Sequence, residues 1–371
     1  MPRTLIFVLL LTQTNFSYSA INTPELVIGY GSSDAVLPQK SQELWYRGFR
    51  LGYEKFAKKP HRVIEKHIIT GEKLGAIEAA NFLIQNNASL IIGFPTSHEA
   101  LLTSQVVNKK TSIVSIYAGA GHAKLGSFGS NILTTGESMD LSVSTVVDFI
   151  VHTLKFKKGV VISNPHAVFS VNQVENLKQN LKDYLGKSKL DLTHVEMDKK
   201  QTISSTDLVK IKNADFIWMT QYADESSIIM SQLEQNKIDK PIITNSSWST
   251  GDIEFIRRFL VNKKTPTYSF ALWLPHTRAS LEFNSLIKQI YNQSPTSEIA
   301  YGYDIGVITA ELSNRVRKYP NLKTFKAALN FNRCFNNTSV GKICFPITGG
   351  HASRKITPTI FSRNEFKEIP D

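Results

Sequence analysis

Thr96-Ser97-His98-Glu99 sets two hydroxyls, an imidazole and a carboxylate on consecutive residues. The spacing is that of a capping box, with Thr96 as N-cap and Glu99 three residues on. A helix that starts here offers free backbone N–H groups and a positive dipole end, which suit an anionic group. The apolar run Leu90–Ile92 precedes it, reads as a strand buried on both faces, and stops at Gly93-Phe94-Pro95. The helix runs to about Asn108, and a second strand, Ser112–Ile116, ends in Ala118-Gly119-Ala120-Gly121. In a parallel α/β sheet such strand ends border the ligand crevice.

Other chemistry-bearing patterns fail on their spacing. Gly186-Lys187-Ser188 lacks the first glycine of a phosphate loop, since Leu181 stands there. Gly29-Tyr30-Gly31 has Asp34 where a dinucleotide fingerprint needs its third glycine. His98-Glu99 has no second histidine at zinc-protease spacing, and no Gly-x-Ser-x-Gly elbow occurs. A catalytic set assembled only in space would escape such a search. No enzyme activity, metal or cofactor is expected.

With 371 residues the chain is long enough for two domains, and 42% hydrophobic with 20% charged residues reads as globular. The net charge of +12 is scattered as Lys-Lys pairs at 58–59, 109–110, 157–158, 199–200 and 263–264. Nucleic-acid binding would need a clustered face or a known module. Residues 1–20 combine Arg3, the apolar core Leu5–Leu11 and a polar stretch ending in small residues, as in a cleaved export signal. No other segment approaches 18 apolar residues, so the mature chain is expected to be soluble. Export permits a disulfide between the two cysteines, Cys334 and Cys344; the spacing suits a bridge across a hairpin or loop, and two free buried thiols are the alternative.

The elements that must position these groups alternate. Strands are expected at Leu26–Ile28, Arg62–Ile69, Leu90–Ile92, Ser112–Ile116, Asn131–Leu133, Gly159–Ser163, Leu192–Val195, Phe216–Met219 and Pro241–Thr244. Helices are expected at Gln39–Lys58, Leu74–Gln85, Asp140–Leu154, Val171–Leu185, Thr206–Ile211 and Asp224–Gln235. This order is the signature of parallel, helix-flanked sheets. The set is too long for one sheet of typical size, which points to two. Further on come a strand, Tyr268–Leu272, the helices Arg278–Tyr291, Glu298–Arg317 and Thr324–Asn330, and short strands from Gly341 onward.

From about Glu25 to Ile369 the chain resembles the type I periplasmic binding proteins, close to the leucine/isoleucine/valine-binding receptors of ABC transporters. The resemblance rests on Val27-Ile28-Gly29 followed by Arg47-Gly48-Phe49-Arg50-Leu51-Gly52-Tyr53, and on Ile91-Ile92-Gly93 with Thr96-Ser97. Further matches are Ile113-Val114-Ser115 with Ala118, Asp215-Phe216-Ile217-Trp218 with Tyr222, Ala300-Tyr301-Gly302-Tyr303-Asp304, and Gly341-Lys342-Ile343-Cys344-Phe345. It implies an α/β fold of two Rossmann-like lobes with parallel sheets, joined by a three-crossover hinge. Lobe one is expected at 24–135 plus 273–335 and lobe two at 136–272, with the strands of 336–371 near the hinge. A ligand would bind between the lobes and be buried by hinge closure.

The resemblance assigns ligand contacts to Thr96 and Ser97 at the helix start, Ala118 through its backbone, Phe169 and Tyr222 as aromatic walls, and Ser246 or Ser247 near the acid that receives an amino group. Each has a plainer reading: Thr96 as a cap, Phe169 and Tyr222 as packing. Gly119 stands where the amino-acid-binding branch has a hydroxyl, and no acid stands at 246 or 247. A buried ammonium needs a carboxylate or several acceptors. The expected ligand is therefore a small polar molecule: an amino acid, an amide or a carboxylate. The expected role is a periplasmic, monomeric receptor delivering it to an ABC permease on another chain. The alternative is an exported sensor of the same fold that reports to a membrane kinase or chemoreceptor.

Overall fold

The computed structural model describes residues 26–33, 39–68, 74–185, 190–197, 202–250, 254–275 and 277–369. The expected export signal at 1–20 lies outside them. The chain opens with Val27–Ser33 (β1), Gln39–Phe56 (α1), Arg62–Ile68 (β2), Gly75–Gln85 (α2), Ala88–Gly93 (β3), Ser97–Val107 (α3), Val114–Tyr117 (β4) and Ile132–Thr134 (β5). It crosses to a second unit: Met139–Asp148 (α4), Lys158–Ser163 (β6), Val168–Leu185 (α5), Asp191–Glu196 (β7), Ser205–Lys212 (α6), Phe216–Met219 (β8), Ala223–Gln235 (α7), Ile242–Ile243 (β9), Ser246–Thr250 (α8), Glu254–Asn262 (α9) and Thr267–Ala271 (β10). It then returns through Arg278–Tyr291 (α10), Ser297–Lys318 (α11), Phe325–Phe331 (α12) and the hairpin Cys334–Thr338 (β11) with Gly341–Cys344 (β12). Gly350–His351 (β13) follows, before Thr357–Ser362 (β14) and Glu365–Glu368 (β15).

The first sheet has the order β13-β5-β4-β3-β1-β2 and is parallel throughout. The second is ordered β15-β14-β10-β9-β8-β6-β7, parallel except for β14 and β15 at one edge. The chain passes between sheets three times: after β5, after β10 and after β13. This is the expected α/β fold of two lobes and a three-stranded hinge. Strands buried on both faces explain the continuous apolar runs, such as Leu90, Ile91 and Ile92, all fully buried.

α1 and α11 pack unusually closely because glycines face the contact. A Cβ on Gly48 would lie 2.2 Å from the Ile299 carbonyl oxygen, and one on Gly302 would lie 2.0 Å from that of Trp45. Gly52 and Gly306 repeat the arrangement one turn on. The same crossing stacks Trp45 on Tyr301, ring centroids 5.3 Å apart.

The helices α8 and α9 correct the sequence reading, which placed none between Thr244 and Tyr268. α9 carried a legible signal in Ile256, Phe259 and Leu260, spaced as one helix face and all buried. α4 stops at Asp148 rather than running to Leu154, and the last six residues form a π turn that ends at Lys155 with φ 57°. Cys334 and Cys344 face each other in the β11–β12 ladder and are joined by a disulfide.

Candidate ligand site between the lobes

The C-terminal ends of β3, β4 and β5 in the first sheet supply one side of the site, and those of β6, β8 and β9 the other. β3 ends with Gly93 at φ +104° and Phe94 at φ 46°, so the chain turns sharply into α3. The turn is tight: the Phe94 N–H donates to the Gly31 carbonyl at 3.0 Å.

At the start of α3 the capping box is complete. The Thr96 hydroxyl donates to Glu99 Oε2 at 2.8 Å and accepts from the Glu99 N–H at 3.2 Å. Thr96 is thereby occupied by its own helix. Ser97, only 2% exposed, is the first helical residue, and its N–H has no acceptor within the helix. The same box buries the Glu99 carboxylate at the helix N-terminus. Burial, reinforced by the charge of Glu99, holds the Tyr30 phenol far above its ordinary range. Tyr222, from the opposite lobe, is raised by burial, then by Glu225 and by the same Glu99. Both phenols therefore stay protonated at neutral pH.

Ala118 donates its N–H to the Gly93 carbonyl at 3.2 Å. Gly119 has φ +80° and donates its N–H to Thr135 Oγ1 at 3.2 Å. A Cβ there would stand 3.0 Å from the Trp45 ring. Its positive φ and the indole above it both disfavour a side chain at this position. Trp45 Nε1 and Tyr301 Oη, together with the side-chain amide of Gln221 after β8, are buried without a hydrogen-bond partner.

On the second lobe Phe169 and Tyr222 stack, ring centroids 5.1 Å apart and 15° from parallel. Ser247 is turned onto its own loop, its N–H donating to Asn245 Oδ1 at 2.9 Å. Ser246 Oγ donates to Glu137 Oε1 at 3.1 Å. Glu137, in the first crossover, is the functional candidate that sequence reasoning missed; its only sign was an acid in a glycine-containing turn directly after β5. Burial pushes its carboxyl up to about 7, against the pull of Ser246, Arg354 and Ser142. Arg354, in the third crossover, forms a buried ion pair with Asp304 and lies over the Tyr301 ring at 5.1 Å. Further contacts join the lobes: Ala123 N–H to Asn172 Oδ1 at 3.3 Å, and Ser297 Oγ to the Ser249 carbonyl at 3.4 Å.

A family profile described as "Periplasmic binding protein" matches residues 71–359. The chain belongs to this family. Among solved structures it is similar to the leucine-binding protein LivK of Thermotoga maritima MSB8, at 17% identity over 93% of this chain and 98% of that one, with a TM-score of 0.76. The branched-chain amino acid receptor LivJ of Streptococcus pneumoniae, in complex with isoleucine, is 16% identical over 93% and 100%, with a TM-score of 0.74. A solute-binding protein of R. palustris in complex with benzoate is 13% identical over 93% and 96%, with a TM-score of 0.76. No curated protein matches the chain. Family membership makes this periplasmic binding protein a solute-binding protein rather than an enzyme. Among the described residues, no helix is long and apolar enough to cross a membrane, and no cluster of three or more His, Cys, Asp or Glu could hold a metal.

Proposed function

We propose that this periplasmic binding protein is exported, captures a small amine- or amide-bearing molecule between its lobes, and delivers it as a monomer to an ABC permease on another chain. The lobes are 24–135 with 273–335, and 136–272, with the remaining C-terminal strands at the hinge. The observation that carries the ligand class is the contact between Glu137 and Ser246, which sets a buried carboxylate beside the serine of the opposite lobe. A buried carboxylate is stabilised by a cation or several donors, and an ammonium or amide N–H group supplies them. Glu99 adds negative charge at the start of α3, which disfavours a ligand that is only an anion.

In this reading the Ser97 N–H and hydroxyl receive the acceptor end of the ligand, and the Ala118 carbonyl, its N–H being held by Gly93, accepts from an N–H of the ligand. Glu137 and Ser246 receive its N–H end, and Phe169 with Tyr222 flanks its apolar part. Thr96, Gly119 and Ser247 support the site without reaching the ligand. Native mass spectrometry of the freshly purified protein, followed by calorimetric titration with leucine, isoleucine, valine, simple amides and benzoate, tests the assignment. Amine- or amide-bearing compounds are expected to bind and benzoate not; tight benzoate binding with no amine or amide binding overturns it.

A further inference from the structure

The edge of the first sheet opposite the cleft is formed by the N-terminal ends of its parallel strands. Three basic segments that lie far apart in sequence meet there. Lys58, Lys59 and Arg62 lead into β2. Lys109 and Lys110 precede β4, and Arg317 and Lys318 end α11. All seven side chains are exposed.

Hydrogen bonds fix this convergence. The Lys58 N–H donates to Asn314 Oδ1 at 3.0 Å, and Arg317 Nη2 donates to His61 Nδ1 at 3.3 Å. Lys326 Nζ, on α12, donates to the Thr111 carbonyl at 2.7 Å and so holds the loop before β4 against α12. Lys58, Lys59, Arg317 and Lys318 line one open groove with Tyr319 and Phe331. The one acid in its lining, Glu311, is paired with Arg315.

Two features separate this pole from an ordinary solvated basic surface. No acid compensates it: the sequence has no Asp or Glu at 55–64, 100–136 or 312–364. Among the described residues, none of the seven cations forms an ion pair. Large apolar side chains also stand out from it. Phe331, at the end of α12, is 59% exposed, and Ile347, in the turn before β13, is 83% exposed. Arg333 ties these two segments together, donating to Asn330 Oδ1 and to the Pro346 carbonyl, each at 2.8 Å. Cations beside exposed apolar groups suit a surface of anionic headgroups over an apolar interior. β1 begins at the same edge, with Val27 opposite Arg62, shortly after the segment expected to direct export.

We propose that this pole of the first lobe docks on an anionic phospholipid membrane, its lysines and arginines on the headgroups and Phe331 and Ile347 in the interface. A nucleic acid or an acidic protein would account for the charge and not for the two exposed apolar side chains. The cleft lies at the opposite strand ends, so a docked molecule keeps its ligand site clear of the bilayer.

Sedimentation of the full exported chain with sucrose-loaded vesicles is the test. One set is phosphatidylcholine alone, and the other contains one-third phosphatidylglycerol. The chain is expected to pellet with the mixed vesicles only, and less so as salt is raised. A lysine near such a surface contributes about fivefold, so Lys58→Ser/Lys59→Ser/Lys109→Ser/Lys110→Ser should weaken binding about a hundredfold or more. Phe331→Ser/Ile347→Ser should weaken it about tenfold at unchanged charge. The control Lys157→Ser/Lys158→Ser/Lys178→Ser/Lys212→Ser removes the same charge from exposed positions of the second lobe and should stay within about threefold. All these side chains are exposed, so each variant keeps the fold, which circular dichroism checks. No binding to the mixed vesicles, or an equal loss in the two lysine variants, overturns the proposal. Binding that the apolar variant leaves unchanged also overturns it, and gives the pole to a polyanion such as an acidic protein. None of these outcomes bears on the cleft ligand, which native mass spectrometry reads independently.

Discussion

Glu137 and Ser246 meet across the hinge, the serine Oγ donating to Glu137 Oε1 at 3.1 Å although 109 residues separate them. The first crossover thus places an acid beside the second lobe, where no acid stands at 246 or 247.

Ligand affinity should depend on pH through Glu137. The free protein holds this carboxyl at about 7 by burial, and an ammonium group binds the ionised form. Affinity for an amine ligand is expected to fall about tenfold for each pH unit below 7. Glu137→Gln should abolish this slope and bind the amine poorly at neutral pH. Calorimetry across pH 5 to pH 8 gives the answer, and a slope that survives in the variant removes Glu137 from the ligand's surroundings.

Stability should move in the opposite sense. Glu137 titrates at its ordinary value of 4.5 when unfolded and at about 7 when folded. Between those values the folded state carries the extra proton, so this group's contribution declines as pH rises from 4.5 to 7 and then levels off. The decline is on the order of 3 kcal/mol. Glu137→Gln cannot ionise, so above pH 7 and without ligand it should melt at a higher temperature than the unaltered chain. Equal melting temperatures there would mean that the carboxylate is not desolvated.

The glycine contact between α1 and α11 should be intolerant of any side chain. Gly302→Ala places a methyl group 2.0 Å from the Trp45 carbonyl oxygen, with backbone on both sides. A loss of about 3 kcal/mol or more is expected in urea unfolding, as for severe overpacking. Because the helices must separate, the stack of Trp45 on Tyr301 should change as well, visible in near-ultraviolet circular dichroism. A variant with unaltered stability would show that the helices can slide.

Removing the disulfide should affect stability and spare binding. Cys334→Ser/Cys344→Ser opens a loop of sequence separation 10, worth about 3 kcal/mol by chain entropy. The bridge closes the β11–β12 hairpin, outside the facing strand ends of the cleft. Urea unfolding should show the loss, and ligand affinity at 25 °C should stay within about twofold. A large change in affinity would couple the hairpin to hinge closure.

The sequence by itself determined what depends on neighbours within a turn or two. The alternation of buried strands and amphipathic helices gave away the two α/β lobes. The Thr96–Glu99 capping box was readable because both partners lie within one helical turn. Phe169 and Tyr222 were singled out, and the structure stacks them. α9 was missed although its apolar spacing was present, and α8 because five residues, three of them serine, carry too little pattern. Only the tertiary structure decided the chemistry of the cleft. Gly119 looked like a missing hydroxyl, and it is the seat of Trp45, a residue brought there by glycines of α1 and α11. Glu137 looked like a turn residue. Its burial, its raised pKa and its serine partner arise when the first crossover meets the start of α8 in the other lobe, and a linear pattern carries no record of that meeting.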